Sequence, residues 1–118
     1  MRVAVISDIH GNLAALEAVL AALDADPVEA VWCLGDIVGY GPQPNECCDL
    51  VRERASVTLC GNHDLAVRGT LDLEEFSGDA AVAALWTQTV LRRDAREWLN
   101  GLAQRRRPGS LAVSGASS

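Results

Sequence analysis

The chain has 118 residues, of which 49% are apolar and 22% charged, and its formal net charge is −6 at pH 7. A sequence this apolar is not a disordered tail, its length suits one ordinary domain with a real core, and its acidity argues against a broad nucleic-acid or membrane-surface footprint, which needs basic patches. All ten cations are arginine, so lysine-based phosphate loops and Schiff-base chemistry are excluded as well.

No apolar run approaches the ~18 residues needed to span a bilayer, and Met1 leads straight into a strand-like run rather than a basic leader. The chain is therefore read as cytoplasmic, with no membrane partner. Cys33, Cys47, Cys48 and Cys60 show no Cys-x-x-Cys spacing, and Cys33 and Cys60 end apolar runs, so reduced core cysteines are expected rather than a disulfide or zinc framework.

Residues 2–6 read as a short buried strand, followed by Ser7, Asp8, Ile9, His10, Gly11 and Asn12. Asp8 and His10 are two apart, so an extended segment would point both to one side. An anionic oxygen and an imidazole presented together suit a borderline divalent cation such as Mn, Fe or Zn, although a turn aspartate beside a half-buried histidine has the same appearance. The spacing predicts a first helix over residues 13–24, capped by Asn12, with Leu13, Leu16, Leu20 and Leu23 as its apolar stripe and Pro27 beyond its end.

Residues 30–34 form a second continuous apolar run, as in a parallel strand covered on both faces, and Gly35 and Asp36 follow. Gly39, Gly41 and Pro42 require a sharp turn within 37–43. Pro44 opens a second helix, Glu46 and then Arg52 and Arg54 complement its two ends, and Cys47, Leu50 and Val51 form its buried face. Residues 56–60 read as a third strand ending in Gly61, Asn62, His63 and Asp64.

Residues 65–78 are mixed and acidic, a loop or short helix near the site. A helix is predicted over 79–91 with Val82, Leu85, Trp86 and Val90 on one face, and another over 94–100 with Trp98 and Leu99 inward and Gly101 ending it. These aromatics read as core. Residues 105–107 are a solvated charge run, 111–113 a candidate fourth strand and 114–118 a frayed end, so 104–118 is a tail or a final strand of the single domain 1–118.

Strand, helix and strand in alternation imply a parallel sheet, whose carboxyl edge is where open α/β folds bind ligands. Asp8, His10, Asp36, Asn62, His63 and Asp64 would then converge. Taken singly, Asp8 or Asp36 could cap a helix, Asn62 could occupy a left-handed turn and His63 could be a satisfied loop histidine. The Gly39-Tyr40-Gly41 loop lacks the third glycine of a dinucleotide fingerprint.

Asp8-x-His10 with Gly11 and Asn12, Gly35-Asp36 with Val38, Gly39, Tyr40 and Gly41, Pro44-Asn45, and Gly61-Asn62-His63-Asp64 stand in that order along roughly residues 2–100. This series resembles the calcineurin-like metallophosphoesterase superfamily, and in detail its small bacterial and archaeal phosphodiesterase branch. The resemblance implies an α/β fold, the N-terminal half of an αββα sandwich with a mostly parallel sheet. It also implies two divalent metal ions (Mn, Fe, Zn or Ni), with Asp8 and His10 on the first, Asp36 bridging and Asn62 on the second. By the same resemblance His63 would donate a hydrogen bond or proton to the phosphate or leaving group and Asp64 would orient His63. Asn12, Gly35, Gly61 and Tyr40 would face the substrate, a phosphodiester or a phosphorylated small molecule.

Members of that superfamily are about twice this long and carry a lone histidine and a Gly-His-x-His motif further on, whereas this sequence has two histidines, His10 and His63. Ser114 stands about where the lone histidine would be. The resemblance thus implies an incomplete metal site with weak binding, and a sheet with one uncovered face prone to self-association as a homo-oligomer. The alternative to a metal-dependent phosphoesterase is an impaired fragment or phosphate-binding module of the same fold.

Overall fold

The computed structural model describes residues 2–70 and 73–104. Its order is β1 (Val3–Ile6), α1 (Leu13–Ala25), β2 (Ala30–Cys33), α2 (Pro44–Arg54), β3 (Val57–Cys60), α3 (Asn62–Arg68), a 3-10 turn (Leu73–Glu75), α4 (Gly78–Val90), α5 (Arg93–Asn100) and β4 (Ala103–Gln104). The four strands form one parallel sheet in the order β1-β2-β3-β4. The predicted α/β class and the strand–helix–strand units are observed. The predicted strand at 111–113, the tail and the arginine run at 105–107 lie outside the described residues.

Helix α1 starts where Asn12 ends the loop, because the Asn12 carboxamide oxygen accepts the Ala15 N–H at 3.1 Å. Its Leu16 and Leu20 are buried and pack with Cys33, Ile37, Val38, Cys47, Cys48 and Val51 in one core. Helix α2 packs between α1 and α5, and α3 lies against α4 and α5. All four cysteines are free and buried, as expected. Among the described residues no helix is long and apolar enough to cross a membrane.

Two expectations about burial fail. The strand at residues 30–34 is not covered on both faces; instead the uncovered sheet face that the family resemblance implies is present, and the register partners Val5, Trp32 and Val57 form a row that is 55%, 39% and 44% exposed. Alternation sends Ile6, Val31, Cys33 and Cys60 inward, so the helices cover one face and the apolar other face lies open. In α4 the stripe Val82, Leu85, Trp86 and Val90 points outward, and Ala80, Ala84 and Thr87 are the buried residues. Small side chains let α4 approach α3 closely, and Thr87 satisfies its hydroxyl on the Ala83 carbonyl at 2.7 Å. Trp86 is therefore not core, whereas Trp98 packs against the core and Leu99 is fully buried within it.

Candidate functional site

The loops after β1 and β2 are stitched to each other by backbone hydrogen bonds. Asp8 N–H donates to the Gly35 carbonyl at 3.2 Å, His10 to Asp36 at 2.8 Å, Gly11 to Ile37 at 2.8 Å, and Gly41 back to His10 at 2.6 Å. The stitching holds four side-chain-bearing residues in left-handed backbone: Asp8 (φ 57°), His10 (51°), Asp36 (55°) and Tyr40 (62°). Such a conformation costs about 1–3 kcal/mol per non-glycine residue and persists where the surroundings impose it, which is common at functional sites.

The third loop joins through glycine. Gly35 (φ 111°) lies against the Gly61 backbone, and a methyl group on Gly61 would collide with the Asp36 carboxylate. What these glycines allow here is an approach of one loop's backbone to the other's. Gly61 caps α3, so Asn62, His63 and Asp64 form the first turn of a helix rather than the loop expected from the sequence. The carboxylate of Asp36 accepts the His63 backbone N–H at 2.9 Å.

Asp64 is completely buried and accepts three backbone donors: Ile37 at 2.9 Å and Val38 at 3.0 Å on one oxygen, and Gly61 at 3.0 Å on the other. Burial pushes its carboxyl up to about 6 while the Val38, Gly61 and Ile37 N–H groups pull it down. Its three hydrogen bonds hold the second loop to the third and run to main-chain donors.

The converging groups are Asp8, His10, Asp36 and His63. His10 Nε2 is 3.5 Å from Asp8 Oδ1, and His63 Nδ1 is 3.5 Å from Asp36 Oδ1. One ligand atom each from His10, Asp36 and His63 lie within 4.8 Å of one another, and the two imidazole rings stand 4.6 Å apart, edge to face. Desolvation holds His63 below its usual pKa, against the pull of Asp36, favouring the neutral ring that can ligate. His10 Nδ1 and His63 Nδ1 are buried without a hydrogen-bond partner among the described residues. Two imidazoles with a buried nitrogen left without a hydrogen bond, gathered with the Asp36 carboxylate, fit a borderline divalent cation.

The other expected residues occupy lesser positions. Asn62 is exposed at the first residue of α3, next to the cluster, and Asn12 uses its carboxamide oxygen as the α1 cap. Tyr40 sits at the rim, half exposed, 5.5 Å from the His10 ring and 5.2 Å from the His63 ring. Asn45 ties α2 to the α4–α5 junction, donating to the Val90 carbonyl at 2.9 Å and accepting the Arg92 N–H at 2.8 Å. Two contacts were not anticipated: Ser7 Oγ donates to Asp8 Oδ2 at 2.9 Å, and the Phe76 ring stands edge-on 5.2 Å from His63. Nothing in the acidic stretch 65–78 pointed to Phe76; Ser7 was visible as the neighbour of Asp8.

A family profile described as calcineurin-like phosphoesterase matches residues 1–111. The chain is similar to an uncharacterized protein of Methanocaldococcus jannaschii, 45% identical over 100 residues, which cover 85% of this chain and 41% of that one. It is 35% identical over 68 residues to a symmetrical bis(5'-nucleosyl)-tetraphosphatase of Thioalkalivibrio sulfidiphilus, over 55% of this chain and 25% of the relative. The crystal structure of a metallophosphoesterase from Sphaerobacter thermophilus superposes with a TM-score of 0.73 at 48% identity, over 93% of this chain and 44% of that one. The chain thus spans less than half the length of the relatives it matches.

Proposed function

The chain belongs to the calcineurin-like phosphoesterase family, and from that premise we propose that it carries the front part of the site of a metal-dependent phosphoesterase, acting on phosphodiester or phosphomonoester bonds of a phosphorylated small molecule. The observation that carries this reading is the gathering of His10, Asp36 and His63, with Asp8 beside His10, on one rim of the sheet. A relative named as a bis(5'-nucleosyl)-tetraphosphatase supports a small phosphorylated substrate. Reduced, buried cysteines suit a cytoplasmic location.

Asp8 and His10 would hold a first cation of the Mn, Fe, Zn or Ni class, Asp36 would be a ligand shared with a second, and Asn62 would bind the second. When bound, such cations would supply positive charge to the phosphoryl oxygens and lower the pKa of water towards neutrality. His63, whose ring desolvation holds below its usual pKa, would direct a ring N–H at the phosphate or leaving-group oxygen. Asp36 fixes where that ring begins by binding the His63 backbone, and Asp64 keeps the second and third loops in register from below.

Incubated with Mn, the chain is expected to hydrolyse bis(p-nitrophenyl) phosphate or p-nitrophenyl phosphate and to lose that activity in EDTA. The second reading, an impaired phosphate-binding module, is favoured by the histidine count: the sequence contains two, and both already lie in this cluster. Phosphate binding without turnover under any divalent ion would select it, and absence of both would remove the two readings together.

A further inference from the structure

The loop at residues 39–41 presses flat against the histidine pair, and one residue of the three carries a side chain. A methyl on Gly39 would stand 3.2 Å from His63 Cβ, and one on Gly41 would collide with the His10 carbonyl and the Gly11 backbone. Between them Tyr40 holds left-handed backbone at φ 62°, a conformation that glycine would adopt without cost and that costs a bulky residue about 1–2 kcal/mol. The strain places the ring against both histidines, 5.5 Å from His10 and 5.2 Å from His63, while 52% of the residue stays open to solvent. Among the described residues no hydrogen bond engages its hydroxyl, so packing and not polarity sets the ring there.

Resting on the phosphoesterase reading, we propose that Tyr40 is the specificity-determining residue of this site. Its open surface stacks on a planar aromatic group carried by the phosphoester, a nucleobase or an aryl leaving group, while the phosphoryl group lies at His10, Asp36 and His63. A half-exposed aromatic ring beside an anion-binding cluster suits that division. Aromatic stacking is worth enough to change affinity about tenfold, and it is indifferent to the identity of the base because every base has a π-face.

The test is equilibrium binding by calorimetry to the full chain in Mn, with adenosine 5′-monophosphate, phenyl phosphate, ribose 5-phosphate and inorganic phosphate as probes. The wild-type chain is expected to bind one or both aromatic phosphates about tenfold more tightly than ribose 5-phosphate, and the stronger of the two identifies nucleotide or aryl chemistry. Tyr40→Gly relieves the backbone strain and so should fold, as circular dichroism can verify; it is expected to bring the affinity ratio close to one. Tyr40→Phe is expected to keep the preference. Phosphate binding with no aromatic preference, or a preference that survives in Tyr40→Gly, overturns the stacking role and leaves the phosphoesterase reading standing. Failure of the wild-type chain to bind any of the four phosphates overturns both.

Discussion

The His63 backbone N–H donates to Asp36 Oδ1 at 2.9 Å, and the His63 imidazole Nδ1 stands 3.5 Å from that same oxygen. One carboxylate thereby fixes where the third loop enters the rim and lies beside its histidine ring.

Replacing Asp36 with Asn keeps an oxygen that can accept the His63 N–H but removes the charge. The Tm is expected to move by less than about 5 °C, while phosphodiester hydrolysis in Mn falls roughly 100-fold or more, since a metal's charge stabilisation is worth several kcal/mol. Elemental analysis should show the metal content falling in parallel. A fully active Asp36→Asn chain would remove the carboxylate from the mechanism.

Asp64→Ala strands three buried N–H donors, those of Ile37, Val38 and Gly61. At about 1–3 kcal/mol for each unsatisfied group, the variant should lose about 3–9 kcal/mol by urea unfolding, a large part of a small domain's total. Asp64→Asn keeps the oxygen that serves Ile37 and Val38 but turns an NH₂ towards Gly61, so its loss should be smaller, about 1–3 kcal/mol. Equal and small losses in both variants would show that the carboxylate does not hold the loops together.

Burial pushes the Cys33 and Cys60 thiols up to about 11 and Cys47 up to about 12, and raises Cys48 further. Thiolate is the reactive form, so iodoacetamide at pH 8 should leave the folded chain unmodified over the time in which the urea-unfolded chain takes up four labels. Rapid labelling of the native chain would show that the core opens readily.

The open row Val5, Trp32 and Val57 predicts self-association of the isolated chain. Light scattering should show species larger than a monomer, and Val5→Lys with Val57→Lys should shift the distribution towards monomer without loss of helical signal. A wild-type chain that stays monomeric at high concentration would contradict the prediction.

The three strand-to-loop junctions were legible because each predominantly apolar run stops at polar or glycine residues, and alternation of strands with helices places all three stops at one edge. Burial in α4 was not legible. Val82, Leu85 and Trp86 form a stronger apolar stripe than Ala80, Ala84 and Thr87, yet the smaller set faces inward, because close helix approach and not side-chain size decided the matter. The bonds that Asp64 makes were not legible for a related reason: its partners Ile37 and Val38 lie 27 and 26 residues earlier, and no local spacing marks a carboxylate that serves distant main-chain donors. Left-handed backbone at His10 and Asp36 likewise arises from bonds between loops.

The main-chain stitching of the first two loops runs through Asp8, Gly35, His10, Asp36, Gly11 and Ile37 by amide and carbonyl alone. Such a frame is indifferent to which side chains it displays, provided that the glycines remain. Positions 8 and 10 can therefore be varied among donor side chains that tolerate left-handed backbone without cutting any of these main-chain bonds, whereas position 36 also ties in the third loop through its carboxylate.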